Sequence, residues 1–384
     1  MKLVNTLVIG IDASRNRSGG AKAHLIGILN EIDPAQHGIL EIHVWSFCSL
    51  LDQLPDYPWL IKHNPIALEN SLIQQLIWQA TTLASEVKNA GCDILFTTDA
   101  STLCRFKPMV VLSQDMLSYE PGVMRYFGYG FARLRLLAIL VLQNLAFQSS
   151  QGVIFLTRYA AKVIQQSCGQ LSSIAYIPHG VGLAFKNIQQ MNTWPALDER
   201  PIQCIYVSNA EMYKHQWVVV QAIASLRKRG YNLLITFVGG GAGPAQKLLQ
   251  DVIAVSDPDS VFVEQLNFLS QTELPALLAK ADLFVFASSC ENMPVTLLEA
   301  MAVGLPIACS DRGPMPEVLE DGGVYFDPEN AESLADAILQ LIQSRVLRLT
   351  ISQRAKALSE QYNWKRCAAE TFNFIAETYI ISKK

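Results

Sequence analysis

The sequence has no cysteine pair of the CxxC type, and its eight cysteines are scattered along the chain. Most of them lie in apolar runs, as Cys204 and Cys309 do, which predicts reduced core residues and excludes a small disulfide-held module. Charged residues are scarce at 17% while apolar residues make up 50%, so a disordered chain is also excluded. The net charge of −4 provides no basic field for a nucleic-acid backbone, and we expect no nucleic-acid partner.

Several other features are missing. The first residues lack the basic flank, apolar stretch and cleavage site of a secretion signal, which predicts a cytoplasmic protein. The most apolar helical stretch, 134–142, contains Arg135 and is shorter than the roughly 18 to 20 residues that span a bilayer, so no transmembrane helix is expected. The six histidines show no ligand spacing, and no metal site is predicted. The triplet Asp257-Pro258-Asp259 could hold a divalent cation beside a diphosphate or form a polar turn before a strand, and the absence of GxSxG argues against a hydrolase.

The 384 residues are enough for two domains, and short apolar runs alternate with helix-patterned segments from end to end. Candidate strands of the first half are 6–11, 42–47, 93–97, 109–113, 152–156 and 174–177, and those of the second half are 203–207, 233–238, 260–263, 283–287 and 307–310. This pattern predicts an α/β protein with two Rossmann-like parallel-sheet domains facing a cleft.

The expected domain boundaries follow from composition. Residues 185–200 are polar, include Pro195 and have no clear period, so we place the linker there. The prediction is an N-terminal domain over 1–190, a C-terminal domain over 191–364, and a last helix over 365–384 that returns toward the first domain. Helical periodicity after Asn330 supports the helices of this final part.

The segment 286–306 has the richest chemistry, because a strand ends there, a polar loop follows and a helix begins. Pro294 suits the first helical turn, which would leave free N–H groups near 292–296 as an anion site. Glu291 in the loop and Glu299 in the helix would flank that anion and accept hydrogen bonds from sugar hydroxyls. The alternative is that Glu291 is a capping carboxylate and Glu299 a solvated helix residue; the spacing alone leaves both open.

Three further segments are candidates for ligand contact. A glycine-rich turn at 239–243 follows a strand, but it fails the GxGxxG register, which leaves a tight turn or a flexible crossover as alternatives to a phosphate loop. Gly19 and Gly20 follow the first strand and would admit a phosphate or sugar closely, unless this is a plain turn with His24 on the helix surface. Lys214 follows a strand of the second half and could neutralise a diphosphate or simply be solvated.

Taken together, these motifs resemble the retaining glycosyltransferases of family four, which have the two-domain GT-B fold. Glu291 and Glu299 stand at the spacing of the family's E-x7-E element, and the segments 287–308 and 316–318 also follow its pattern. The glycine turn and the segment 177–181 stand at matching places, and the similarity covers nearly all of 201–342. The segment 206–216 is most similar to transferases of bacterial surface-polysaccharide assembly.

The resemblance implies a role for each site residue. Glu291 would be the catalytic residue that contacts the donor sugar, Glu299 would bind the ribose, and Lys214 the diphosphate. The other residues that it places at the donor are Gly19, Gly20, Gly240, Asn292, Met293, Pro294, Val295 and Thr296. The sequence departs from the family at two positions, where Asn209 replaces the usual arginine and Gln114 the histidine of a His-Asp pair.

The function that follows is transfer of a sugar from a nucleoside diphosphate sugar to an acceptor hydroxyl with retention, without a metal or a bound cofactor. The alternatives are an epimerase of the same fold and a catalytically silent sugar-binding subunit. The expected partners are the nucleotide sugar and a glycan or lipid-linked acceptor. The stretch 125–142 combines arginines with apolar residues, so it could either contact the cytoplasmic face of a membrane or form a core helix with solvated arginines.

Overall fold

The computed structural model describes residues 6–17, 19–188, 194–196 and 199–383. They divide into two compact units: residues 1–180 with 363–384 form unit 1, and residues 181–362 form unit 2. The sequence analysis placed the first domain boundary between residues 190 and 191, which lie outside the described residues. It placed the second between residues 364 and 365, where the structure has it between 362 and 363.

Unit 1 contains a seven-stranded sheet in which all neighbouring strands are parallel. Its order is β3-β2-β1-β4-β5-β6-β7. The strands are β1 Leu7–Asp12, β2 Ile39–Trp45, β3 Leu60–His63, β4 Ile94–Thr97, β5 Met109–Ser113, β6 Gly152–Phe155 and β7 Ile174–Tyr176. β4, β5 and β6 are buried along their whole length, as expected for strands covered on both faces.

Helices connect these strands. They are α1 Gly19–Glu31, α2 Cys48–Leu51, α3 Leu72–Thr81, α4 Leu83–Asn89, α5 Phe131–Ser149, α6 Arg158–Cys168 and, at the end of the chain, α15 Trp364–Ser382. The Thr157 side chain caps α6 and the Asn363 side chain caps α15, each by accepting an N–H of the first turn. α15 packs against α1, where the Trp364 ring occupies the space that a Cβ on Gly27 would need.

Unit 2 contains a six-stranded parallel sheet of order β10-β9-β8-β11-β12-β13. The strands are β8 Ile202–Val207, β9 Leu233–Val238, β10 Val263–Leu266, β11 Leu283–Phe286, β12 Ile307–Ser310 and β13 Val324–Phe326. The helices are α7 Leu183–Asn187, α8 Gln216–Lys228, α9 Pro244–Ser256, α10 Leu274–Leu278, α11 Val295–Val303, α12 Met315–Leu319, α13 Ala331–Gln343 and α14 Arg345–Ser359. The predicted α/β class with two parallel sheets is therefore confirmed.

Three strands differ from the prediction. β3 and β13 were missed, and β10 begins at Val263 where the predicted strand ended. All three lie at sheet edges, where half-exposed residues replace the continuous apolar run that marks a central strand.

One helix bears on the expectation that the chain has no transmembrane helix. α5 has 19 residues and is long and apolar enough to cross a membrane by length and composition alone, and it is the one such helix in the described part of the chain. The cysteine prediction is confirmed, because all eight are free and only Cys48 is exposed.

Candidate functional site

The candidate site of unit 2 lies where the strand order of its sheet reverses, between β8 and β11. In open parallel sheets, ligands bind outside the carboxyl ends of the strands at such a point. Two loops leave these ends: residues 208–215, the β8 loop, and residues 287–294, the β11 loop. The sequence candidates Lys214 and Glu291 lie one on each loop.

Lys214 and Glu291 are brought together by these loops. The Lys214 ammonium donates to Glu291 Oε1, and both side chains are about 15% exposed. The ammonium also lies 5.9 Å from the centre of the Phe286 ring. Since Glu291 pairs with a lysine and no side chain caps α11, the interpretation of Glu291 as a helix cap is wrong.

Hydrogen bonds fix the β8 loop to its surroundings. The buried Tyr206 hydroxyl donates to the Lys214 carbonyl at 2.8 Å, and the Ser289 N–H donates to the Tyr213 carbonyl at 2.8 Å. His215 Nε2 and Ser289 Oγ are also 2.8 Å apart, and His215 adopts a left-handed backbone with φ of 49°. Lys214 is therefore positioned by contacts of its own backbone, independently of its ion pair.

Glu299 is buried within α11, so its interpretation as a solvated helix residue is wrong. Gln271 Nε2 donates to its Oε1 at 3.1 Å, and its Oε2 has no partner in the described part of the chain. Burial raises the pKa of this carboxyl to about 7, and the Gln271 hydrogen bond opposes that shift. Glu299 thus has one buried oxygen whose hydrogen-bonding capacity no described residue satisfies.

The start of α11 differs from the prediction. The helix begins at Val295, with Pro294 just before it instead of in the first turn. The Val295 N–H is not free, because it donates to the Met293 carbonyl at 3.0 Å. Thr296 Oγ1 donates to the Val207 carbonyl at 3.2 Å, which ties α11 to β8. Asn292 and Met293 are buried at this helix start.

The glycine turn after β9 packs against the β8 loop. Gly239 has φ of 135°, and a Cβ there would lie 2.6 Å from the Ser208 carbonyl oxygen. A Cβ on Gly241 would lie 2.6 Å from the Ala210 Cβ, and the Ala210 N–H donates to the Gly240 carbonyl at 2.8 Å. These glycines permit two loops of the same unit to approach each other.

Gly19 and Gly20 belong to unit 1 and open α1. An added Cβ on Gly19 would meet nothing within 4 Å. His24 is buried, so the alternative that placed it on the helix surface is wrong; its Nδ1 lies 2.8 Å from His179 Nδ1. Burial lowers the pKa of His179 to about 4, so this pair stays neutral at neutral pH.

Unit 1 also has buried polar groups that the sequence did not single out. Asp12 at the end of β1 accepts hydrogen bonds from Ser14 Oγ at 2.6 Å and from Gln79 Nε2 at 2.7 Å. Burial raises the pKa of Asp12. Asp115, beside Gln114, accepts the Leu117 N–H at 2.9 Å, and burial raises its pKa as well.

The described residues offer no cluster of metal ligands. Among the described residues, no three His, Cys, Asp or Glu side chains are grouped so that they could hold an ion. In the Asp257 triplet, the Asp257 carboxylate accepts the backbone N–H groups of Val261, Phe262 and Val263 at 2.7 to 2.9 Å. This carboxylate therefore fixes the turn before β10.

Comparison with known proteins finds a family match within the second unit. Residues 190–358 match the family model described as "Glycosyl transferases group 1". The chain is 33% identical to O-antigen chain mannosyltransferase B of Escherichia coli over 112 residues, which are 29% of each protein. It is 32% identical to the amylovoran biosynthesis glycosyltransferase AmsK of Erwinia amylovora over 171 residues, 42% of this chain and 41% of that one. The chain thus spans less than half the length of these two relatives.

Solved structures match over nearly the whole chain. Sucrose-phosphate synthase of Thermosynechococcus elongatus has a TM-score of 0.78 at 14% identity, covering 99% of this chain and all of that one. The Anabaena protein HepE, solved with UDP and glucose, has a TM-score of 0.70 at 21% identity with the same coverage. These likenesses confirm the GT-B type of fold. The family model bears out, over residues 190–358, the resemblance to glycosyltransferases that the sequence motifs indicated.

Proposed function

We propose that the protein is a retaining glycosyltransferase that moves a sugar from a nucleoside diphosphate sugar to an acceptor hydroxyl in the assembly of a glycan or polysaccharide. The observation that carries this proposal is the Lys214–Glu291 ion pair at the β8/β11 switch point, within the matched segment. The relatives named for O-antigen and amylovoran synthesis support the polysaccharide context. The eight free cysteines support a cytoplasmic location, where thiols stay reduced.

The proposed chemistry assigns one task to each charged group. As the bond between the anomeric carbon and the diphosphate oxygen breaks, its electron pair leaves with the diphosphate. The Lys214 ammonium stabilises that charge, and the acceptor oxygen bonds to the same carbon while its proton passes to the departing diphosphate oxygen. Glu291, released from Lys214 when the diphosphate takes its place, accepts hydrogen bonds from the sugar hydroxyls. Glu299 accepts hydrogen bonds from the ribose through its unpartnered oxygen.

A donor panel tests this proposal in two steps. The first is a thermal-shift series with nucleoside diphosphate sugars, because a ligand at 100 times its Kd adds about 2.7 kcal/mol of stability. The second measures nucleoside diphosphate release from the best donor with and without acceptor extracts, followed by proton NMR of the product's anomeric linkage.

Each outcome has a clear meaning. Release that depends on acceptor, with the donor's anomeric configuration kept, supports the proposal. Turnover with water and no acceptor would indicate an epimerase, and donor binding without any turnover would indicate a silent binding subunit. An inverted linkage would overturn the retaining mechanism while leaving the transferase intact.

A further inference from the structure

The outward side of α5 is apolar although it is exposed. Leu134, Leu137, Val141 and Leu145 are between 44% and 63% exposed, and their spacing places them along one side of the helix. The opposite side contributes buried residues to unit 1, among them Leu136, Ala146 and Phe147. Two aromatic residues extend the apolar strip at its N-terminal end: Tyr129 is 95% exposed and Phe131 is 83% exposed.

Positive charge accompanies this strip. Arg125 precedes the helix, and Arg133 and Arg135 lie in its first turns. Residues 121–197 contain no Asp or Glu but six Lys or Arg. The Arg133 guanidinium lies 4.9 Å from the centre of the Tyr129 ring, and Arg135 makes no ion pair within the described residues. The strip therefore faces solvent beside the charges of Arg133 and Arg135, neither of which makes an ion pair within the described residues.

Another exposed apolar face of unit 1 lacks this charge. On α3, Leu72, Ile73 and Ile77 are 51% to 69% exposed. Residues 63–87 contain no Lys or Arg, and Glu69 lies just before this helix. α3 is therefore a control within the same unit, with similar apolar exposure but with no Lys or Arg on the helix or within residues 63–87.

α5 is long enough to cross a bilayer, yet its position between two paired strands of the sheet argues against crossing. Nineteen residues rise about 28 Å, but this helix is the connection between β5 and β6, which pair in parallel. Its buried Gln143 donates to Ser101 Oγ at 3.1 Å, which holds it to the body of unit 1. Insertion across a membrane would break this crossover, whereas lying on the membrane surface would leave it unchanged.

We propose that the outward side of α5, with Arg125, Arg133 and Arg135, binds the surface of an anionic lipid bilayer. The apolar side chains enter the boundary between headgroups and acyl chains, and the guanidinium groups contact lipid phosphates. This inference goes beyond the proposed transfer reaction and does not depend on it, because its test measures binding to vesicles and no turnover.

The first experiment is sedimentation of the full chain with vesicles of phosphatidylcholine alone or with 30 mol% phosphatidylglycerol. We expect binding to the anionic vesicles only, with loss of binding as salt is raised. Because each basic residue at an anionic surface contributes attraction, reversal of all three arginines to Glu should lower the partition coefficient at least about a hundredfold. The matched control reverses Lys88, Arg105 and Lys107, which are exposed in the same unit, and should bind like the wild type.

The second experiment tests the apolar contact. Leu134→Glu with Val141→Glu should abolish vesicle binding while circular dichroism stays unchanged, because both side chains are more than half exposed. The matched control on α3, Ile73→Glu with Ile77→Glu, changes equally exposed residues and should leave binding intact. If the triple arginine reversal fails to fold, Arg133→Gln and Arg135→Gln provide milder variants for the same measurement.

Three results would overturn the proposal. The wild-type chain could fail to sediment with anionic vesicles at low salt, or the α5 variants could bind as well as the wild type. Size-exclusion chromatography could also show that Leu134→Glu with Val141→Glu turns an oligomer into a monomer with vesicle binding unchanged. In that case the strip would be a contact between copies of this chain.

Discussion

The two units share the strand order around their switch points, yet they place different chemistry there. In unit 1, the buried Asp12 carboxylate is satisfied by Ser14 and Gln79 of the same unit. In unit 2, Lys214 and Glu291 remain partly exposed and satisfy only each other's charge. A ligand can replace one partner of such a pair, whereas Asp12 is enclosed by its own unit. If the proposed function is right, the same topology holds a self-satisfied carboxylate in one unit and an ion pair that a ligand can open in the other.

The largest effect is expected at Glu291. Glu291→Gln should lower turnover about a hundredfold, because a charged acceptor near the transferred sugar is lost. Affinity for the free nucleoside diphosphate should be unchanged or higher, since Lys214 no longer pairs with a carboxylate. Steady-state kinetics and calorimetry check the two quantities separately.

The control for this variant is Glu332→Gln, which removes another ion-paired glutamate of the same unit, the partner of Arg229. It should leave turnover near the wild-type value. If Glu291→Gln keeps a kcat within about threefold of the wild type, its ion pair with Lys214 is merely structural.

Lys214→Ala should weaken binding of a nucleoside diphosphate about ten- to a hundredfold, because a charge-assisted contact of about 1.5 to 3 kcal/mol is lost. Asn209, at the usual arginine position, has no charge with which to compensate. Binding of the nucleoside without phosphates should stay constant, and Lys228→Ala provides an exposed-lysine control. Equal losses for nucleoside and nucleoside diphosphate would contradict a phosphate role.

The raised pKa of Glu299 predicts that nucleotide affinity depends on pH. Its carboxyl has a pKa of about 7 in the folded, unliganded protein, and the ionised form is the better acceptor for ribose hydroxyls. Affinity should therefore rise about tenfold between pH 6 and pH 8, and Glu299→Gln should bind weakly with no such rise. Calorimetry at both pH values measures this change.

The pH dependence that Glu299 gives to the stability of the unliganded protein has the opposite sign to that of nucleotide affinity. Because its folded pKa is raised above 4.5, the unliganded protein loses stability as the pH rises from about 4.5 through 7. Glu299→Gln removes this loss, so it should be more stable than the wild type in urea at pH 8 without nucleotide. A wild type of equal stability would mean that Glu299 titrates normally.

The smallest effects come from a matched pair of glycine substitutions. Gly241→Ala should reduce the free energy of unfolding by about 1 to 3 kcal/mol, because its Cβ would collide with Ala210. Gly19→Ala has open space and a helical position, so its unfolding free energy should change by at most about 1 kcal/mol. If Gly19 serves the donor phosphate, as the resemblance implies, this variant should still lose a few fold in donor affinity. Unfolding curves and calorimetry on both variants separate packing from ligand contact.

The sequence was informative where apolar periodicity and chain order decide the structure. Central strands such as β5, β9 and β12 appear at their predicted residues, because burial on both faces demands continuous apolar runs. Glu291 and Lys214 could be nominated because they lie between a strand end and a helix start, and Glu299 because it stands at the E-x7-E spacing from Glu291.

Contacts between distant residues could not be predicted in this way. No local pattern reveals that Lys214 pairs with Glu291, that Gln271 donates to Glu299, or that the glycine turn packs against Ala210. The burial of Glu299 and His24 was missed for a related reason. A polar residue on a helix is predicted to be exposed unless the packing of the neighbouring elements is known.

The return of α15 to unit 1 has a consequence for the order in which the molecule is made. Unit 2 is one uninterrupted stretch of chain, whereas unit 1 is built from two stretches that flank it. During translation, unit 2 can complete its sheet while α1 still lacks the helix whose Trp364 covers Gly27. The Val181 N–H donates to the Tyr362 carbonyl at 3.2 Å, so the two ends of unit 2 lie side by side. Unit 2 is thus a domain insertion, and a gene that joins Gly180 to Asn363 through a short loop would encode unit 1 without interruption.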